Sequence, residues 1–124
     1  MVDQCRHADR DSVIELCSRQ GWVFESETAK AIRFSRGGFA LNFNGEDAGY
    51  INLVFDPIVA GANFILFLEC GAKVHERFSS NFRNFPKKKS KNARQNHFGV
   101  GLKLASLTDA EAVLQNLQLP ELVR

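Results

Sequence analysis

Apolar and polar positions recur with two different periods along this chain, and the changes of period mark its elements. From Arg10 to Gln20, Val13, Leu16 and Cys17 fall at i, i+3 and i+4, with Ile14 beside them, which predicts a helix. Asp9 stands where an N-cap belongs, and Gly21 where a left-handed C′ residue belongs. That places Trp22 at C″, packed back on Cys17 as a clamp.

From Val23 the period drops to two. Val23–Glu27 is a weak strand, and Lys30–Ser35 alternates with Ile32 and Phe34 on one face. Arg36-Gly37-Gly38 supplies a tight turn. Phe39, Leu41 and Phe43 then face inward while Ala40, Asn42 and Asn44 face out. Asn44-Gly45 opens the next turn, through Gly49, into a strand whose inner face is Ile51, Leu53 and Phe55. Hairpin signals between alternating runs predict an antiparallel meander.

Asp56-Pro57 breaks the pairing, and residues 58–62 form a short connection. Phe64–Glu69 is apolar at odd and even positions alike, which predicts a central strand covered on both sides. In KVHERFSSNFRNF, Val74, Phe78, Phe82 and Phe85 are spaced as on a helix, with Pro86 as its stop. Residues 87–96 hold no apolar side chain except Ala93 and predict a loop, and His97–Ala105 predicts a final strand. Thr108 and Glu111 have capping-box spacing, with Leu107 as staple. Ala110, Val113, Leu114 and Leu117 make the last helical stripe, and Pro120 closes it. Taken coarsely, the order is α-β-β-β-β-α-β-α. The expected fold is α+β: one domain over residues 1–124, an antiparallel meander sheet with helices packed mainly on one face.

Composition adds a core and a charge map. A chain of 124 residues, 44% hydrophobic and 24% charged, can bury a core of its own. Eleven Phe against one Tyr and one Trp supply rings with no polar tip to keep wet. The net charge of +2 hides an asymmetry. From Lys73 to Lys103 the chain carries nine cations and one anion, Glu76, a segment charge of +8. The other seven cations and thirteen anions give −6. Lys87, Lys88, Lys89, Lys91 and Arg94 lie within eight residues, flanked by Arg83 and Lys103. These seven are the expected phosphate contacts, since mobile cations neutralise phosphates and release counterions without sequence specificity.

The last strand has an uneven second face. Phe98, Val100, Leu102 and Leu104 share one side; His97, Gly99, Gly101 and Lys103 share the other. Glycines there leave a groove floored by main chain, open to a ligand or to close packing.

Catalytic chemistry has weaker footing. Cys5, His7, Cys17, Cys70 and His75 offer no C-x-x-C and no zinc-like spacing, so no metal and no cofactor is expected. His97, with Glu76, His75, Arg77 and Lys103 nearby in sequence, has the residue types of a metal-free ribonuclease. Asp56 and Glu69 stand at the ends of successive predicted strands. This order of helix, strand meander, helix and strand is similar to the core of the PD-(D/E)xK nucleases. The resemblance implies Asp56 and Glu69 as metal-binding acids, but that family's Lys position holds Gly71, with the nearest Lys at 73, and Asp56-Pro57 reverses its proline-acid pair.

Three cysteines cannot all pair within one chain, and the start MVDQCRHADRD has no apolar signal-peptide core. A reducing, cytoplasmic setting without a membrane is expected. The leading expectation is a domain that binds nucleic acid or another polyanion through residues 73–103. The alternatives are a protein-interaction module of inhibitor, immunity or adaptor type that docks on an acidic partner, and a nuclease or phosphodiesterase with a degenerate site.

Overall fold

Helix α1 (Arg10–Arg19) ends on the glycine that predicts its end. Gly21 has φ +87°; its N–H donates to the Ser18 carbonyl, and the Trp22 N–H donates to the Cys17 carbonyl. Those are the two bonds of a Schellman close. Trp22 is fully buried and meets Phe55 edge-on. Asp9 holds the N-cap position without a side-chain capping bond. The fold is seen in a computed structural model that describes residues 4–45, 49–79, 82, 85–89 and 95–121.

The meander follows as β1 (Val23–Glu27), β2 (Ala31–Arg36), β3 (Phe39–Asn44) and β4 (Ile51–Phe55), each antiparallel to the next. Gly37 and Gly38, both at positive φ, make the β2–β3 turn.

In coarse outline the expected order stands, but two assignments in the middle exchange character. Residues 57–69 form α2 (Pro57–Ala62) and α3 (Phe64–Glu69), where a connection and a covered strand are predicted. A short apolar run fits a strand or a helix equally well, and the ends decide. Asp56 accepts a hydrogen bond from the Ile58 N–H, and Pro57 needs no helical donor at the first position. At the far end Gly71 (φ +72°) donates to the Leu68 carbonyl and Ala72 to the Phe67 carbonyl, the same close as after α1. Phe67 is buried, whereas Phe64, Ile65 and Leu68 are exposed on the outer side of α3. Asn63, at the α2–α3 junction, donates to the Val59 and Gln118 carbonyls and accepts from the Gln118 N–H, tying the helices to the chain beyond the last helix.

The segment predicted as the next helix opens as strand β5 (Lys73–Phe78). A spacing of four is even, so Val74 and Phe78 share a strand face as readily as a helix face. Two more strands follow: β6 (Lys87–Lys89), within the predicted loop, and β7 (Gln95–Leu104). The last helix, α4 (Leu107–Asn116), is capped by Ser106, whose hydroxyl accepts from the Asp109 N–H, so Thr108 lies inside the first turn rather than at the cap.

The sheet order is β1-β2-β3-β4-β7-β5, with β6 paired to the start of β7. All four helices supply residues to one core with Ile32, Phe34, Leu41, Phe43, Leu53, Phe55, Leu102 and Leu104, the inner sheet face. Among the described residues the outer face carries no helix. The Ser79 N–H reaches the His97 carbonyl from one edge of β7, and the Phe98 N–H reaches the Pro86 carbonyl on the other. Successive residues of a strand point their backbone groups to opposite edges, so the chain from β5 to β6 crosses β7. Phe82 and Phe85 pin that crossing against Ala40 and Val54 in a second, small apolar cluster. Among the described residues no helix is long and apolar enough to cross a membrane.

Candidate functional site

The register of the sheet defines what its outer face carries. Directly paired residues share a face, and the pairs run Ala31–Asn44, Arg33–Asn42 and Ser35–Ala40 from β2 to β3. They continue as Asn44–Asn52 and Asn42–Val54 into β4, then Asn52–Lys103 and Val54–Gly101 into β7. Lys73–Lys103, His75–Gly101 and Arg77–Gly99 reach the β5 edge, and Lys87–His97 and Lys89–Gln95 extend the face along β6. These positions hold the cations Arg33, Lys73, Arg77, Lys87, Lys89 and Lys103 and no carboxylate. At the β1 edge Glu25 accepts a hydrogen bond from the Ser35 hydroxyl.

The two glycines of β7 are filled by the protein's own side chains. A Cβ at Gly99 would lie 2.6 Å from Val54 Cγ1 and 2.7 Å from the Phe85 ring. A Cβ at Gly101 would lie 2.7 Å from His75 Nε2 and 3.0 Å from Arg77 Cδ. The bare groove is thus a channel in which Phe85, His75 and Arg77 lie flat. Arg77, on the edge strand, thereby comes to line a cavity of about 300 Å³ together with Asn42 and Asn44 of β3, although β7 and β4 separate the two strands in the sheet. Among the described residues Thr28, Lys30 and Ser79 also line it, and the Phe82 ring is part of its wall.

Two donors on this face are buried without an acceptor. Asn42 is 7% exposed, and its Nδ2 has no hydrogen-bond partner. Its direct neighbour across the β2–β3 ladder, Arg33, holds a buried Nη2 that also has none. A buried polar group without a partner costs about 1–3 kcal/mol, so such pairs are uncommon unless something else satisfies them.

The sequence-predicted contacts separate. Lys87 and Lys89 share the outer face with His97 and are exposed. Lys88 points to the other side, where it pairs with Glu76 and its Nζ sits 4.7 Å from the centre of the Phe98 ring. Lys103 lies beside Tyr50, with Nζ 5.6 Å from the ring centre. Arg83, Lys91 and Arg94 lie outside the described residues. Arg33, Asn42 and Asn52 had no place among the expected contacts. Their signal was the meander's outward positions, which carry amides and a guanidinium rather than acids.

The catalytic candidates do not assemble. Asp56 is the N-cap of α2, held by Ile58, and Glu69 sits in the last turn of α3 rather than at a strand end. The nuclease-like pairing of two strand-end acids is therefore not formed. His97 Nδ1 lies 2.7 Å from the Phe85 carbonyl, and a carbonyl can only accept, so Nδ1 carries a proton and the ring is fixed beside the crossing chain. Among the described residues no three His, Cys, Asp or Glu side chains gather as a metal site. Compared with protein-family models, curated proteins and solved structures, the chain matches none.

Proposed function

We propose that this domain binds nucleic acid or another polyanion on the outer face of its sheet. The observation that supports the reading is the register: from β2 to β6 the paired positions of this face among the described residues hold six cations and no carboxylate, while the chain outside residues 73–103 carries a net −6. A field of one sign attracts phosphates and orients them by many weak contacts. The reading narrows the basic segment: Lys87, Lys89, Lys103, Arg77 and Lys73 are contacts, and Lys88 is a structural partner of Glu76.

Binding of labelled single- and double-stranded DNA and RNA at low salt tests it. Micromolar or tighter affinity that falls as salt rises is the expected result. Absence of binding to every nucleic acid, with retention of an acidic protein from nuclease-treated extract, would replace this reading with a protein-interaction role.

A further inference from the structure

We propose that the outer edge of β5, with the groove beside it, takes an extended segment of a partner protein as an added strand, the segment being acidic at alternate positions and apolar between them. The proposal goes beyond the outer-face reading and does not rest on it. The sheet ends at β1 and at β5. The β1 ladder shifts register between Phe24 and Ser26, a break that blunts that edge for further pairing. β5 pairs with β7 in unbroken register from Lys73 to Phe78, so its other edge is regular. The Ser79 N–H donates to the His97 carbonyl. By alternation Lys73, His75 and Arg77 turn their backbone groups to β7, and Val74, Glu76 and Phe78 turn theirs outward. Among the described residues no strand pairs with those outward groups.

Beside this edge lies a largely apolar groove of about 680 Å³. Its walls include Pro57, Ala60, Gly61 and Phe64 from α2 and α3, and Val74 and Val100 from the sheet. Phe64 is 49% exposed, and Ile65 and Leu68 of the same helix are exposed too. A strand edge facing helices across an apolar groove has both parts that strand addition needs: main-chain bonds hold the segment, and the groove selects its alternate side chains. Side-chain parity then sets the occupant. An added strand places one row of side chains beside Val74, Glu76 and Phe78, over the groove, and the other beside Lys73, His75 and Arg77 on the outer face. The first row calls for apolar groups, because the Glu76 charge is already met by Lys88. The second row holds two cations and no carboxylate, with Lys73 exposed, and calls for acids. A second copy of this chain fits poorly, since a two-fold pairing of two β5 edges along their length sets members of that cationic row against one another.

Fluorescence anisotropy with a labelled peptide in which Asp alternates with Val and Leu tests this. The controls are a peptide of the same composition with its acidic and apolar residues in separate halves, and an alternating peptide with Lys in place of Asp. The alternating acidic peptide should bind at least about tenfold tighter than either control. Methylating the backbone nitrogens of one alternate set should abolish binding, and methylating the other set should leave it, because only one set faces β5. Phe64→Ala should weaken the peptide about tenfold and leave nucleic-acid affinity unchanged. Lys73→Glu should weaken the Asp peptide and strengthen the Lys peptide. Failure of the alternating acidic peptide to bind overturns the proposal, as do equal effects of the two methylated sets. An unchanged preference in Lys73→Glu overturns the acidic partner. A dimer in sedimentation that the peptide dissociates assigns the edge to a second copy and overturns it too. None of these results touches the outer-face reading, which is tested by DNA and RNA binding.

Discussion

Arg77 lies across Gly101: its Cδ stands 3.0 Å from where a Cβ of residue 101 would be, closer than side chains ordinarily approach. The same strand holds Phe85 against Gly99 at 2.7 Å. The two glycines accommodate different neighbours, and alanine at each should fail differently. At Gly99 the intruding methyl meets Val54 and Phe85, both buried, so Gly99→Ala should cost about 1–3 kcal/mol of stability. At Gly101 it meets a flexible arginine and an imidazole on the open face, so the stability cost should be under about 1 kcal/mol while nucleic-acid affinity falls. Denaturant titration beside a binding isotherm separates the two; equal stability losses would contradict the packing described.

Glu27 predicts a pH dependence with a definite sign. Its carboxylate accepts from Arg10 Nε at 2.9 Å and Arg10 Nη2 at 2.5 Å, and also from the Cys5 N–H at 3.0 Å. The Arg10 hydrogen bonds hold its pKa below the ordinary carboxylate value, against partial burial and with help from the Cys5 N–H. A depressed folded pKa gives stability that is present above the unfolded value, about 4.3, and is lost as pH falls through the folded value. Glu27→Gln should therefore lower the melting temperature at pH 7 and flatten its decline below about pH 4. An unchanged acid limb would show that the pair does not report on folding.

The three thiols should react unequally. Burial pushes the Cys17 thiol up to about 12, and Cys5 is 4% exposed. Cys70 is half-buried, its pKa raised by burial and then by the negative charges of Asp109 and Glu69. A thiol reagent at pH 8 should label Cys70 slowly and leave Cys5 and Cys17 until the chain unfolds. Fast labelling of Cys17 in the native protein would mean that α1 opens locally.

Gly71 closes α3 at φ +72°, where an L-residue is strained. Gly71→Ala should cost about 1 kcal/mol, measured by chemical denaturation, and the loss should resemble that of Gly21→Ala at the end of α1. A neutral Gly71→Ala would contradict the left-handed close.

That glycine also marks the boundary between what is legible in the sequence and what only the fold decides. The meander was legible because Gly37-Gly38 and Asn44-Gly45 separate strictly alternating runs. The end of α1 was legible from Gly21 and Trp22. Gly71 and Ala72 give the same signal after Phe64–Glu69, but six apolar residues in a row have no period, and the run looked like a covered strand. Val74 and Phe78 fit both periods, and only pairing with β7 fixes β5 as a strand. On the outer face, the basic segment was plain in the charge count, but Lys88 differs from its neighbours only by strand parity, which needs the register. Arg33 and Asn42 are distant in sequence from that segment, and the β2–β3 ladder together with the chain crossing over β7 brings them to it.

The most direct test of the outer face is the slope of log K against log salt for duplex DNA, in the native protein and in single lysine variants. About five neutralised phosphates predict a slope of roughly −4 to −5. Lys87→Ala and Lys89→Ala should each reduce the slope by about 1, whereas Lys88→Ala, whose cation is paired with Glu76, should leave it nearly unchanged. A slope near zero, or equal losses at Lys87, Lys88 and Lys89, would contradict an interface set by this sheet face.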